Sequence, residues 1–390
     1  MHFFKSKRND TLEIQKSLYL GSMSQTPPKD DIGQLSEEQR NVLHSLRASR
    51  MILPILLGLG VVAWLVLRNF DFEKIRQIHW SVATFGWILL AFALMVVRHL
   101  AFSVRMWILA QGHFSFVKCI ELVLIFEFSL CITPTTVGGS AVSLFVLTQE
   151  RLSAARTTTI VLYKVVLDTL FFVGTFPLLF AINGAKVIRP YMESLSDANW
   201  ESRLFFLSYA GMVTYGLFLF YGLFINPTLI KRFLVGATRI PFLKRFRERM
   251  QKLGGEIVLA SEDMRNIGWK QHLAAFGATW VAWTCKFILI SCLIYGIDHT
   301  TMDFGRQVLL YSRLQAMFII MALSPTPGGA GIAEGLFFPF LHDFISNLEI
   351  ATVIALIWRL MSYYLYLAVG AVIVPNWIRK VFFKNREKEV

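Results

Sequence analysis

The sequence predicts an all-α polytopic membrane protein of about six to eight transmembrane helices, with two Gly/Pro-broken re-entrant elements in a partial inverted repeat. Three observations predict it. First, 55% of the 390 residues are hydrophobic and only 17% are charged, and the mean hydropathy is +0.53. Soluble domains carry roughly 25% charged residues, so this composition could not keep a surface wet. Second, the apolar runs are long and continuous, as spanning helices require, and not short and alternating as in a barrel. Third, two apolar regions are interrupted by similar stretches, ITPTTVGGSA from Ile132 and LSPTPGGAGIAE from Leu323.

Residues 1–50 read as a cytosolic head of mixed charge. Ser36 with Gln39 makes a capping-box signature for a short helix to Arg50. The apolar run Met51–Leu67 begins too late for a cleaved signal peptide and reads as a signal anchor. Further runs long enough to span are Trp80–Val97 (with helix to Ala110), Thr157–Ile182, Arg203–Ile225, Leu273–Tyr295 and Ile350–Val374. Two regions are apolar but broken: 117–148 around Pro134, Gly138 and Gly139, and 304–344 around Pro325, Pro327, Gly328 and Gly329. Each is either a re-entrant hairpin or a pair of short spans, and both readings return the chain to the face it left.

Orientation follows from Lys and Arg. The linker 226–272 holds ten basic and four acidic residues, and the tail after Val374 holds five basic and two acidic. Both are expected in the cytosol with the head, in a plasma (inner) membrane. The domain reading is a head at 1–50, a transmembrane domain at 51–376 with halves 51–225 and 273–374, and a basic tail at 377–390. The first broken element then opens from inside and the second from outside. Inverted repeats with interrupted helices near the midplane point to a transporter's substrate site.

Helix ends freed at an elbow present N–H groups and a positive pole, which suits phosphate or carboxylate. Glycine allows close approach of a headgroup, and proline holds the elbow open. The expected outer cradle is Pro325, Pro327, Gly328, Gly329, Gly331 and Glu334, and the inner one is Pro134, Gly138 and Gly139. Ionisable residues within apolar runs are expensive and point to function. Lys164 and Asp168 are four apart on one helix face, and Arg359 lies in the last span. Two readings stand for them: Lys164–Asp168 and Glu334–Arg359 bridges that staple helices, or side chains lining a headgroup path. Arg98 and Arg105, at the inner end of the second span, are either positive-inside residues or phosphate ligands. Trp80, Trp107, Trp200, Trp269 and Trp377 read as interfacial belt residues.

The net charge of +13 sits beside apolar runs, which favours anionic lipid over nucleic acid. Cys119, Cys131, Cys285 and Cys292 lie in apolar segments without a CxxC, and no HxxxH pair occurs. No metal and no other cofactor is therefore expected. No Walker A, GxSxG or Rossmann glycine pattern occurs, so the chain is not expected to be an enzyme.

The stretch PTPGGAGIAEGLF, with Glu334, resembles the flippase-like membrane domain of lysylphosphatidylglycerol synthase. Weaker matches are Pro134 with Gly138-Gly139, YKVVLD ending at Asp168, Arg105-Met106-Trp107, and Arg359. The resemblance covers roughly residues 51–376 and implies a lipid-translocating domain of about eight membrane segments with re-entrant elements. At the first elbow the family carries a Glu and soon an Arg, whereas here Gly139 is followed by Ser140 and the next Arg is Arg151. The aminoacyl-transferase domain is not expected, and so neither is lysyl transfer. The expected function is movement of the headgroup of an anionic phospholipid or polyprenyl glycolipid across the bilayer. The alternatives are a lipid-modifying enzyme or the membrane partner of one, and a non-transporting scaffold. A homo-oligomer and a cytosolic or membrane enzyme partner fit the same reading.

Overall fold

A computed structural model describes residues 80–133, 135–190, 192, 200–239, 247–322, 324 and 326–382. The head, Met51–Leu67 and the elbow prolines Pro134 and Pro325 lie outside these residues.

Helix α1 (Val82–Ala110) opens on a capping box, in which the Ser81 hydroxyl accepts from the Thr84 N–H at 3.1 Å. It ends on Gln111 in the left-handed conformation. At 1.5 Å per residue its 29 residues reach about 44 Å, longer than a hydrocarbon core of ~30 Å. The second expected span therefore continues well past Val97. Helices α2 (Phe116–Ile132) and α3 (Thr135–Gln149) follow. They fold back on each other so tightly that a Cβ on Gly139 would lie 2.3 Å from Leu130 Cδ2. Helix α4 (Ala154–Asn183) is capped by Ser153 and carries Pro177. Helix α5 (Trp200–Phe220) runs into a π turn, Tyr221–Ile225.

The basic linker forms two helices, α6 (Pro227–Ala237) and α7 (Arg247–Arg265). Asn226 caps the first, with proline at its start, and Arg156 ties the second to α4 through Asp263 at 2.6 Å. Helix α8 is Trp269–Ile297. Helix α9 (Phe304–Met321) and helix α10 (Ile332–Leu341) form a second antiparallel hairpin, in which Arg313 Nη1 donates to the Phe340 carbonyl at 3.2 Å. Helix α11 (Leu348–Arg359) passes through a π turn, Leu360–Tyr364, into helix α12 (Leu365–Phe382).

Five of these segments are long and apolar enough to cross a membrane: Val82–Ala110, Ala155–Val187, Ser202–Ile225, Trp269–Ile297 and Leu348–Val381. The protein is a polytopic helical membrane protein, as its composition requires.

Helices α1 and α8 make the most extensive pairing, and they run antiparallel. Gly296 near the end of α8 meets Trp87 near the start of α1, where a Cβ would come within 2.7 Å of Trp87 Cβ. Lower down, Arg105 reaches Thr279. Small residues at such crossings bring backbones close enough for van der Waals packing to hold helices together in lipid. Aromatic rings fill the centre, with Phe172 on Trp283 at 4.8 Å and Phe287 on Phe318 at 5.4 Å. All four cysteines are buried and free. Trp80, Trp107 and Trp269 are exposed. Trp377 is not: it is buried, and its indole donates to Glu150 at 2.5 Å.

The antiparallel α1–α8 pair fixes where each hairpin enters. The first leaves from the end of the bundle that holds Ala110 and Trp269, and the second from the end that holds Val82 and Ile297. The tips approach from opposite ends and meet inside.

Candidate functional site

The meeting point is Tyr363, in the π turn. Its hydroxyl donates to the Cys131 carbonyl at the tip of the first hairpin at 3.2 Å, and its own carbonyl receives the Cys131 thiol at 3.8 Å. Its ring edge lies against Gly328 of the second hairpin, where a Cβ would fall 2.1 Å from Tyr363 Cε2. Gly328 has φ +57, Gly329 φ +69 and Gly331 φ +82, a left-handed run that side chains rarely adopt. The glycines of the second elbow thus serve both conformation and close approach.

Glu334 and Arg359 close this elbow. Glu334 Oε1 accepts from Arg359 Nε at 2.7 Å, and Oε2 accepts from the Gly331 N–H at 2.7 Å. Arg359 Nη1 donates to the Gly328 carbonyl at 3.1 Å. The expected Glu334–Arg359 bridge is present. The expected free helix end is not: the positive pole of α10 is capped by its own Glu334, in a glutamate version of the capping box. The donor left over is Arg359 Nη2, which is buried and has no hydrogen-bond partner.

Arg98 and Arg105 are both buried, at 6% and 3% exposure, and both are paired inside the bundle, with Arg105 also lining the cleft beside Lys164. Arg98 Nη2 reaches both oxygens of Glu127 on α2, at 3.1 and 3.0 Å, and Nη1 reaches the Tyr366 hydroxyl at 3.0 Å. Arg105 Nη1 donates to Asp168 at 2.6 Å and to Thr279 at 3.1 Å. The Trp283 indole donates to the same Asp168 oxygen at 3.0 Å. Phe102 lies between the two guanidinium groups, 4.9 Å from one and 4.4 Å from the other. The expected Lys164–Asp168 bridge is therefore replaced by Arg105–Asp168: the arginine arrives from a facing helix, whereas Lys164 turns toward the Phe126 ring at 5.6 Å.

Lys164 faces an open cleft with Arg105, Glu127 and Ser143 among its walls. Ser143 and Phe126 bring the first hairpin into that wall. Gly139 belongs to the tight α2–α3 contact, Gly138 lies in α3, and Pro327 sits on the exposed turn of the second elbow.

Two residues that the sequence reading passed over belong to this set. Glu127 lies in LIFEFSL and Lys286 in WTCKFIL, and the signal that could have found them is the one applied to Asp168: an ionisable residue within an apolar run. Lys286 Nζ sits 4.8 Å from the Trp283 ring centre and 4.1 Å from that of Phe318. Lys164 borders the first hairpin's cleft, Lys286 rests on Phe318 of α9, and Arg359 holds the second elbow, so the cations run from one hairpin to the other.

Between the two hairpin tips the described residues place five cations (Arg98, Arg105, Lys164, Lys286 and Arg359) and three carboxylates (Glu127, Asp168 and Glu334), each carboxylate held by an arginine. A further pair, the buried Arg313 with Asp343, ties α9 to the turn after α10. Such an interior attracts anions.

Sequence comparison agrees with this architecture. The chain is 25% identical over 336 residues to the "UPF0104 membrane protein" of Archaeoglobus fulgidus, covering 80% of this chain and 93% of that protein. Residues 51–370 match the family described as the lysylphosphatidylglycerol synthase TM region. Together with a helical membrane fold and a glycine elbow closed by a glutamate and an arginine, that match establishes that the chain belongs to this membrane-domain family.

Proposed function

We propose that the protein passes the headgroup of an anionic or polyprenyl-linked lipid across the bilayer while the acyl or prenyl tails stay in the membrane. The observation that carries this reading is the file of cations, the three arginines buried and the two lysines partly so, between two hairpin tips that enter from opposite ends of the bundle. A buried charge is costly in hydrocarbon unless it is paired, and this interior keeps more cations than its own carboxylates neutralise. The headgroup enters at the cleft lined by Lys164 and Arg105 and leaves past the elbow at Glu334 and Arg359, or the reverse. The three carboxylates between the hairpin tips, Glu127, Asp168 and Glu334, are each paired with an arginine, which favours transport over acid–base catalysis. The basic helices α6 and α7 lie at the Trp269 end of the bundle, which the positive-inside rule assigns to the cytosol.

The test is translocation of a fluorescent anionic lipid in proteoliposomes, wild type beside Glu334→Gln. Transport by the wild type and its loss in a folded variant is the expected result. Absence of transport by the wild type for every headgroup offered would refute the reading.

A further inference from the structure

Resting on the translocation reading, we infer that Lys286 and Arg359 Nη2 form an anion half-site, and that the headgroup taken by this interior is a phosphate monoester carrying two charges. Lys286 has neither a hydrogen bond nor an ion pair among the described residues; its ammonium is flanked by the faces of Trp283 and Phe318. Ring faces attract a cation but do not replace an oxygen acceptor, so its three N–H donors are available. Two carboxylates are within electrostatic reach: Glu127 has both oxygens engaged by Arg98, and Asp168 is held by Arg105 and Trp283. Arg359 is 4% exposed, with Nε and Nη1 occupied and Nη2 without a partner. Lys286 stands on the Phe318 ring at 4.1 Å, Phe318 meets Trp358 edge-on at 6.0 Å, and Arg359 lies over Trp358 at 5.8 Å, so both cations border one aromatic wall, where an oxyanion relieves both.

Headgroup charge follows from the same balance. Lys164 and Lys286 are the two interior cations without a carboxylate, one in the first hairpin's cleft and one toward the second elbow. A single headgroup moving between them must offset a surplus of two. A phosphate monoester carries about −1.5 to −2 at neutral pH, because its second pKa is ~6. A diester carries one charge and leaves one lysine uncompensated wherever it stands. A monoester also presents three terminal oxygens, enough to accept from Lys286 and Arg359 together.

The experiment uses the full chain in phosphatidylcholine nanodiscs titrated with phosphatidate, with phosphatidylglycerol, or with inorganic phosphate in the buffer, and reads bound ligand by native mass spectrometry. Phosphatidate is expected to bind about tenfold more tightly than phosphatidylglycerol, the difference one charge-assisted contact makes. Lys286→Gln is expected to bring phosphatidate down to the phosphatidylglycerol level, and Lys286→Arg to keep the preference. Equal binding of the two lipids by the wild type overturns the monoester assignment without any variant. An unchanged preference in Lys286→Gln overturns the half-site. Inorganic phosphate binding as tightly as phosphatidate would assign the site to free phosphate and overturn its lipid source. If phosphatidylglycerol is translocated in proteoliposomes as fast as phosphatidate, this inference fails while the translocation reading stands. If phosphatidate binds as expected but no lipid is moved, translocation fails and the half-site stands.

Discussion

Replacing Arg98 by Met tests how the centre of the bundle is held. Arg98 is 6% exposed and makes three hydrogen bonds, at 3.0, 3.1 and 3.0 Å, joining α1 to Glu127 on α2 and to Tyr366 on α12. Glu127's side chain is only 14% exposed, so the substitution leaves a carboxylate in an apolar surrounding. Breaking a buried pair from one side costs about 3–5 kcal/mol. Lys164 and Lys286 lie within electrostatic reach of Glu127 and take up part of that charge, which places the expected loss near 3 kcal/mol, at the low end of that range. At roughly 2–4 °C per kcal/mol, the unfolding midpoint in detergent should fall by about 6–12 °C, read by scanning fluorimetry. Adding Glu127→Gln to Arg98→Met should restore much of the loss, because a pair replaced on both sides leaves no orphan charge. An Arg98→Met protein as stable as wild type, or a double variant no more stable than Arg98→Met, would refute the claim that this pair is structurally coupled.

Gly328→Ala should destabilise the protein by about 2–4 kcal/mol, since the new Cβ meets Tyr363 at 2.1 Å and φ is +57; thermal unfolding checks it, and an unchanged midpoint removes the close approach from the account. Tyr363→Phe keeps that packing and loses only the hydrogen bond to the Cys131 carbonyl, for about 0.5–1.5 kcal/mol; a loss as large as that of Gly328→Ala would show that the hydroxyl does more than this bond. Gly296→Leu forces α1 and α8 apart at Trp87 and should cost about 1–3 kcal/mol, seen as a lower midpoint in the same assay. Ser140→Cys and Ala330→Cys should react with a membrane-impermeant thiol reagent from opposite sides of the membrane, and labelling of both from one side would contradict hairpins that enter from opposite ends.

Much of the fold was legible because hydrocarbon imposes length and apolarity on every span. The runs Thr157–Ile182 and Leu273–Tyr295 fall inside α4 and α8, and the two breaks fall at the two hairpin tips. The Glu334–Arg359 pair was legible for a narrower reason: each charge stood alone in its apolar run and needed a partner. The partner of Asp168 was not legible. A lysine four residues away looked sufficient; the helix was expected to continue to Ala110, but nothing in the sequence showed that it packs Arg105 against Asp168 across 63 residues. Glu127 and Lys286 escaped notice because glycines and prolines drew the reading to the elbows, whereas the charge balance of the interior is set between them. The capped pole of α10 could be read only once Glu334 was seen at the third position after Gly331.

The π turn at Leu360–Tyr364 joins α11 to α12, and its extra residue offsets one helix from the other by roughly 100° of rotation. Arg359, just before it, grips the second elbow, while Tyr363 within it and Tyr366 just after it engage Cys131 and Arg98. Contacts to both hairpins therefore pass through this turn and the residues beside it. If the extra residue migrates one place along the helix, as π turns permit without a net loss of backbone hydrogen bonds, the segment it passes rotates by one residue's worth. Tyr363 then leaves Cys131 as the far contacts re-form. On the translocation proposed above, this one turn would link the opening of one elbow to the closing of the other.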